Sequence, residues 1–341
     1  MRIVVTGGAG FLGSHLCDVL LRRGDHVVCV DNLCTGQRRN VETFLRSRRF
    51  EFVQADVSRS LDVSGRVDAV AHLASPASPP DYHRLPLETL AVGSRGTENA
   101  LRLAHHNDAR FVLASTSEVY GDPLVHPQTE DYWGNVSSVG PRSVYDESKR
   151  FAEALSMAYR RTCDVNVGIM RIFNTYGPRM RPEDGRVVTS FITQALNQDP
   201  LTIYGDGMQT RSFCYVDDLV RGVVAMLDCS ESGPINLGNP VERTMLELAQ
   251  IVLDATGSTS TIEFHPLPKD DPTRRRPDIT QAANLLGWHP EIDAPDGIAR
   301  TLEWFRSRPL EVLAAAKAVA GAQYQGPSLI DLTSGAAVRS A

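Results

Sequence analysis

The stretch RIVVTGGAGFLG (residues 2–13) constrains the fold more than any other part of the chain. Its first residues are β-branched and apolar, which reads as a strand, and the glycines after them end it. A helical pattern runs on to Arg23, and a second apolar strand over residues 27–30 closes on Asp31. Strand, tight turn, helix and strand make a crossover unit, which commits the chain to a parallel sheet with helices on its faces. The glycines fit two overlapping frames, one at Gly8, Gly10 and Gly13 and one at Gly7, Gly10 and Gly13. Gly8 and Gly10 let the backbone turn and approach a pyrophosphate. Gly13 lets the helix sit close to the strand, and the helix N-terminus, at Phe11 and Leu12, supplies N–H donors for phosphate oxygens. Asp31, 18 residues after Gly13, is placed to bind ribose hydroxyls and to repel a 2′-phosphate. With Asn32 beside it neutral, this favours NAD as cofactor, while Arg38-Arg39 keeps NADP open.

The alternation continues. Residues 50–53 form a strand leading to Asp56 and Val57, and Asp56 is placed to meet an adenine amino group. Residues 69–74 form another strand, leading to Leu73, Ala74 and Ser75 at its end. Residues 86–107 are helical, and residues 111–115 form the fifth strand. In a doubly wound sheet the ligands bind outside the carboxyl ends of the strands, and Gly13, Asp31, Asp56, Ala74 and Thr116 all fall there. His72, inside an apolar strand, reads as a satisfied core histidine. A sixth strand covers residues 165–171, a helix about 216–227, and a short strand at 235–237 returns to the sheet.

The expected fold class is therefore α/β: a Rossmann-like doubly wound parallel sheet with a smaller mixed α/β substrate-binding domain. The first domain takes residues 1–177 plus about 213–240. The second takes 178–212 plus about 241–308. Residues 309–341, rich in Ala and Gly with no core pattern, read as a loosely attached tail.

Composition narrows the class. Of 341 residues, 42% are hydrophobic and 22% charged, ordinary for a globular protein, and a net charge of −6 argues against nucleic acid as a partner. No apolar run reaches the roughly 18 residues of a membrane span. The opening MRIVVTGG is a strand and a glycine turn, not the pattern of a signal peptide. The six cysteines show no C-x-x-C pair and no metal-like spacing with histidine, so they read as reduced, mostly buried thiols of a cytoplasmic protein with no metal site.

The chemistry centres on residues 111–149. Tyr145 and Lys149, four apart on a helix, share one face. With 9 tyrosines in 341 residues and lysine nearly replaced by arginine, chance yields only about 0.08 such pairs. The Lys149 ammonium and a nicotinamide cation would favour the Tyr145 phenolate, which then takes a proton from a secondary alcohol as hydride leaves.

TGGAGFLG, Thr116 and Tyr145-x-x-x-Lys149 resemble the extended short-chain dehydrogenase/reductases that act on nucleotide sugars. The longer blocks HLASPASPPDY (72–82), ASTSEVYGDP (114–123), HPQTEDYWGNV (126–136), GPRSVYDESKR (140–150), RIFNTYGPRM (171–180), DGRVV (184–188), PLTIYGDGMQTRSFCYV (200–216) and RRRPDI (274–279) read like the UDP-glucuronate decarboxylases of that family. The resemblance implies oxidation at C4, loss of CO₂ from the β-keto acid, protonation at C5 and return of the hydride, giving UDP-xylose with NAD recycled. It implies Tyr145 as base, Lys149 as its partner and as a hold on the nicotinamide ribose, and Thr116 as a relay to the C4 oxygen. Ser117 and Glu118 then face C5 and the carboxylate. Asn174 and Arg211 contact the diphosphate, Arg186 and Tyr204 border the uridine, and Arg179 and Val187 lie on the substrate side. Arg275 lies near the carboxylate or donates the C5 proton. Members pair as homodimers, here through residues 86–107 and 146–161. Gly93 stands where many relatives carry asparagine.

Ser117 separates this reading from its neighbours. The 4,6-dehydratases carry an acid there to expel the C6 hydroxyl, and serine is a poor acid, whereas departing CO₂ needs none. The 4-epimerases usually lack the glutamate. A nucleotide-sugar 4,6-dehydratase or 4-epimerase remains the alternative. A silent NAD-binding regulator would show a damaged Tyr/Lys pair or glycine loop, and both are intact. Thymidine fits the same phosphate contacts as uridine.

Overall fold

The computed structural model describes residues 1–266 and 274–307. The tail expected at 309–341 and the start of the basic segment before Arg274 lie outside the described residues. The first elements are β1 (Arg2–Thr6), α1 (Phe11–Arg23), β2 (His26–Asp31), β3 (Phe50–Gln54) and β4 (Ala69–His72). Three helices follow, α2 (Pro79–Arg84), α3 (Pro86–Ala91) and α4 (Thr97–Asn107), then β5 (Arg110–Thr116), α5 (Ser143–Cys163) and β6 (Val167–Ile172). The remainder comprises β7 (Thr175–Tyr176), α6 (Val187–Leu196), β8 (Leu201–Tyr204), β9 (Thr210–Ser212), β10 (Cys214–Tyr215), α7 (Val216–Asp228), β11 (Ile235–Leu237), β12 (Glu242–Thr244), α8 (Met245–Thr256), β13 (Ile262–His265), β14 (Arg274–Arg275), α9 (Thr280–Leu286) and α10 (Ala294–Arg306).

Seven strands form one sheet in the order β11-β6-β5-β4-β1-β2-β3, all neighbours parallel. The period-2 alternation of strands explains how one apolar run serves two cores. Ile3 and Val5 join the cluster that includes Leu16 and Leu20 of α1 and Leu219 and Val223 of α7. Val4, between them, joins Leu101 and Ala104 of α4 and Ala152 of α5 on the opposite face. Helix α1 stops at Gly24, whose left-handed φ of 97° lets its N–H close on the carbonyls of Leu20 and Leu21.

The strand order reverses beside β1, between its pairings with β4 and β2, and this is the crevice where a doubly wound sheet binds ligands. The chain after β6 is richer in strands than its composition suggests. β8 pairs with β13, and β9 lies between β12 and β14. These strands are two to four residues long, too short to show a period in sequence. The helix expected over 86–107 is also interrupted: α3 passes into a single π turn at Val92–Gly96 before α4 begins. Gly93 lies in that turn, where a Cβ would come within 2.6 Å of the Ser148 Cβ on α5. Among the described residues no helix is long and apolar enough to cross a membrane.

Candidate active site

A cleft of about 370 Å³ opens over the carboxyl ends of the sheet strands. The glycine loop forms one end. Gly7 has a left-handed φ of 70°, and a Cβ there would meet the Ala74 backbone at 2.8 Å. A Cβ at Gly13 would collide with the Gly7 carbonyl. Gly7, Gly10, Phe11, Leu12 and Gly13 all line the cleft, but Gly8 does not. Gly8 instead faces the sheet, packed against the Cys29 side chain, so the frame at 7, 10 and 13 is the one presented to a ligand. Helix α1 has Gly10 as its N-cap, with no side-chain cap and no acid in its first turn, which leaves its first N–H groups open to an anion.

Asp31 accepts the Ala9 N–H at 2.9 Å and the Leu33 N–H at 2.8 Å, and so ties the glycine loop to the end of β2. Burial raises its carboxyl above the ordinary range, against the pull of these backbone donors. Asn32, Asp56, Val57, Leu73, Ala74 and Ser75 continue the wall. The open helix terminus, the Cβ-free cradle and a carboxylate at the next strand's end suit a dinucleotide. His72 has its ring nitrogens within reach of Thr6 Oγ1 at 2.8 Å and Thr97 Oγ1 at 3.3 Å, and burial with the Lys149 charge lowers it to about 3. It is a neutral core histidine, as expected.

Thr116, at the end of β5, leads into a 3₁₀ turn at Ser117–Tyr120 and accepts the Glu118 N–H at 3.2 Å. Tyr145 and Lys149 rise from the first turns of α5 toward Thr116, and all three line the cleft. The phenol differs from the expectation. Burial and the Glu118 charge push Tyr145 up to about 12, while Thr116 and Arg186 pull the other way. Lys149 does not offset this: its Nζ donates to the Ala114 carbonyl at 2.9 Å and lies 5.9 Å from the Tyr145 ring centre. Burial lowers Lys149 itself to about 8, with Glu153 opposing.

Glu118 is the electrostatic centre. Arg275 donates through both terminal nitrogens, Nη1 to Oε1 and Nη2 to Oε2 at 3.0 Å, and Arg142 adds a bond to Oε2 at 2.6 Å. Burial would raise the carboxyl, but the two guanidinium charges outweigh it and hold it at about 2. Two cations against one anion leave a positive surplus. Ser117, beside Glu118, is buried and also lines the cleft.

Arg142 was not singled out in the sequence, nor were two further residues. Tyr82 stacks on Tyr145 with centroids 5.2 Å apart and planes 9° from parallel. Asp146, next to Tyr145, is 6% exposed, and its Oδ1 has no hydrogen-bond partner. Burial and the Glu118 charge push Asp146 up to about 7. The block GPRSVYDESK carried part of the signal: Arg142 and Asp146 lie one helical turn apart, flanking the tyrosine. Nothing local marks Tyr82, which arrives on α2, the short helix after β4.

Of the residues expected on the substrate side, Asn174, Arg179, Arg186, Arg211 and Arg275 line the cleft. Arg186 pairs with Asp184 through two bonds, one of them Nη2 to Oδ2 at 2.8 Å, and its charge reaches Tyr145. Arg179 turns to the glycine-loop end instead, 3.3 Å from Asp18 of α1 and over the Phe44 ring. Val187 and Tyr204 are not brought to the cleft wall. Val187 opens α6, and the Tyr204 carbonyl and ring are engaged with Gln209 and His265. All six cysteines are free; three are buried, fewer than expected, and Cys34 is exposed.

Residues 3–238 match the NAD dependent epimerase/dehydratase family. The chain is 52% identical over 310 residues to UDP-glucuronic acid decarboxylase 1 of Arabidopsis thaliana, covering 91% of this chain and 71% of that protein. Its likeness to UDP-glucuronic acid decarboxylase 1 of Danio rerio is also 52% over 310 residues, with 91% and 73% covered. Among solved structures it is similar to UDP-glucuronic acid 4-epimerase from Bacillus cereus in complex with UDP-glucuronic acid and NAD, at 30% identity and a TM-score of 0.80, with 90% and 99% covered.

Proposed function

The chain belongs to the NAD dependent epimerase/dehydratase family, and from that premise we propose that it is a UDP-glucuronate decarboxylase forming UDP-xylose. The observation that carries this reading is the Glu118 cluster: a carboxylate held between Arg275 and Arg142, preceded by Ser117 in place of an acid. Its surplus positive charge suits a substrate with a carboxylate at C5, and its lack of an acid beside C6 suits loss of CO₂ over loss of water.

The glycine loop, the α1 N-terminus and Asp31 would hold NAD, which when bound would supply the hydride acceptor for C4 and the hydride returned there. The protein's own groups do the rest. Tyr145 takes the C4 hydroxyl proton in its phenolate form, which a bound nicotinamide's positive charge would favour against burial and Glu118, and Thr116 aligns it. Lys149, fixed on the Ala114 carbonyl, keeps a positive charge beneath the site. The C4 ketone draws the electrons of the C5–carboxylate bond into an enolate as CO₂ leaves. Arg275 and Arg142 stabilise the negative charge before and after that step. One proton is taken up at C5 per turnover, from the Glu118–Arg275 side, and Tyr145 returns its proton to the C4 oxygen.

Asn174 and Arg211 hold the diphosphate, and Arg186 lies near enough to Tyr145 to act at the sugar. In the same reading residues 1–177 and about 213–240 form the NAD domain, and the short strands of 178–212 and about 241–308 form the sugar-nucleotide domain. The protein pairs as a homodimer through 86–107 and 146–161, where Leu87, Leu90 and Phe151 are exposed. Free thiols fit a reducing, cytoplasmic compartment.

The test is incubation of the purified protein with UDP-glucuronate, without added reductant, following CO₂ and the sugar by NMR. UDP-xylose is the expected product. Recovery of the C4 epimer with its carboxylate intact, or turnover confined to a nucleoside-diphosphate glucose giving a 4-keto-6-deoxy sugar, would overturn it.

A further inference from the structure

Arg275 reaches Glu118 from a strand of only two residues, paired on one edge with Thr210 and Arg211 of β9. Such a short pairing is weak on its own. The residues just after it, Arg276 to Asp278, bridge to a single residue, Gln128, which is fully buried in the loop between β5 and α5. The Gln128 N–H donates to the Arg276 carbonyl at 2.9 Å, and its own carbonyl accepts the Asp278 N–H at 2.8 Å. Its side-chain Oε1 accepts the Arg276 N–H at 2.8 Å, and its Nε2 donates to the Val125 carbonyl at 2.7 Å. The side chain thus fills the place of a strand acceptor, and every hydrogen-bonding group of Gln128 is engaged.

The clip is anchored to the sheet and to the Glu118 turn alike. Asn236 of β11, also fully buried, donates from Nδ2 to the carbonyls of Gln128 at 3.0 Å and Asp278 at 3.1 Å. Asn236 Oδ1 accepts the Tyr120 hydroxyl at 2.8 Å, and Tyr120 ends the 3₁₀ turn that carries Glu118. Both partners of the ion pair therefore hang from one buried network.

We propose that Gln128 is the positioning residue that sets Arg275 against Glu118, so that the decarboxylation and C5-protonation machinery is assembled by a side chain that does not line the cleft. This rests on the role of Arg275 given above. It also explains why a segment far along the sequence is held at the site from the Gln128 side, by contacts that bypass the substrate.

The experiment compares Gln128→Met with Gln128→Glu in the full-length protein with its NAD. Methionine keeps the shape and loses the bonds. A buried glutamic acid keeps an acceptor for Arg276 and, protonated, a donor for Val125. Expected for Gln128→Met is a fall in kcat of about 10²-fold, the usual scale for a misplaced reacting group, with KM and bound NAD unchanged. Gln128→Glu at pH 6 restores kcat to within about 3-fold of the parent, since the clip is remade. In an Arg275→Lys background Gln128→Met costs less than about 3-fold more, because the two act as one unit. Unchanged kcat in Gln128→Met, or the full loss repeated in the Arg275→Lys background, would overturn the proposal. A crystal structure of Gln128→Met gives an answer that needs no turnover: Arg275 leaves Glu118 if the inference is right, and an intact two-pronged contact refutes it. That arm separates failure of this inference from failure of the decarboxylase reading.

Discussion

Glu118 and Arg275 stand 157 residues apart in sequence and meet as a two-pronged ion pair on the cleft wall. Their side chains are 15% and 5% exposed, so the pair has little water to replace either partner. Removing Arg275 leaves Glu118 with Arg142 as its single cationic partner in a poorly solvated place.

Arg275→Met should therefore cost both activity and stability. Expected are a loss of turnover of roughly 10²–10³-fold, on the scale of removing a charge-stabilising donor, and a loss of stability of about 1–3 kcal/mol, since Arg142 still pairs with Glu118. Steady-state assays and urea unfolding report the two separately. Turnover within a few-fold of the parent would remove Arg275 from the reaction.

Asp146 makes a pH-dependent prediction. Burial and the Glu118 charge raise its carboxyl to about 7, so the folded chain binds its proton more tightly than the unfolded chain does. A raised carboxyl penalises folding once the unfolded chain has lost the proton, so the penalty is absent below about pH 4 and complete above about pH 7. Asp146→Asn removes that penalty. The variant should melt together with the parent at pH 4 and roughly 4 °C above it at pH 8. A shift independent of pH, or of the opposite sign at pH 8, refutes this account of Asp146.

Tyr145 carries the proton at C4, and its phenol is held up at about 12 by burial and Glu118. Tyr145→Phe should lower turnover by roughly 10³-fold, within the usual range for a general base, without releasing NAD. Extraction and chromatography of the cofactor measures the second point. Full activity in the variant would assign the base elsewhere.

Gly93 is a packing constraint with a consequence for the site. A Cβ there meets Ser148 at 2.6 Å, on the stretch of α5 between Tyr145 and Lys149. Gly93→Asn should destabilise the protein by about 1–3 kcal/mol through overpacking. It should also shift α5 enough to lower turnover, read by thermal melts and assays on the same preparation. Parent-like stability would mean that the π turn can move away freely.

Much of this was legible in the chain. The β-branched runs, the glycine loop and Asp31 announced the sheet and the cofactor end because each signal is local: a turn, a helix start, a strand end. Tyr145-x-x-x-Lys149 was legible because helical spacing fixes its face. Arg142 and Asp146 were missed although they flank that tyrosine, since charged residues near a helix start are usually solvated. The frame of the glycine pattern was ambiguous until packing placed Gly8 against Cys29.

The sequence by itself determined the parallel sheet, the residues at its strand ends and the paired tyrosine and lysine, because short-range periodicity and turn chemistry suffice for them. Only the tertiary structure decided the charge states and partners. It raised Tyr145, turned Lys149 to the Ala114 carbonyl, lowered Glu118 between two arginines, and took Val187 and Tyr204 off the cleft wall. The physical reason is that burial and Coulomb interaction depend on distance in space. Glu118, Arg142 and Arg275 acquire their common role only where the folded chain brings them within hydrogen-bonding reach.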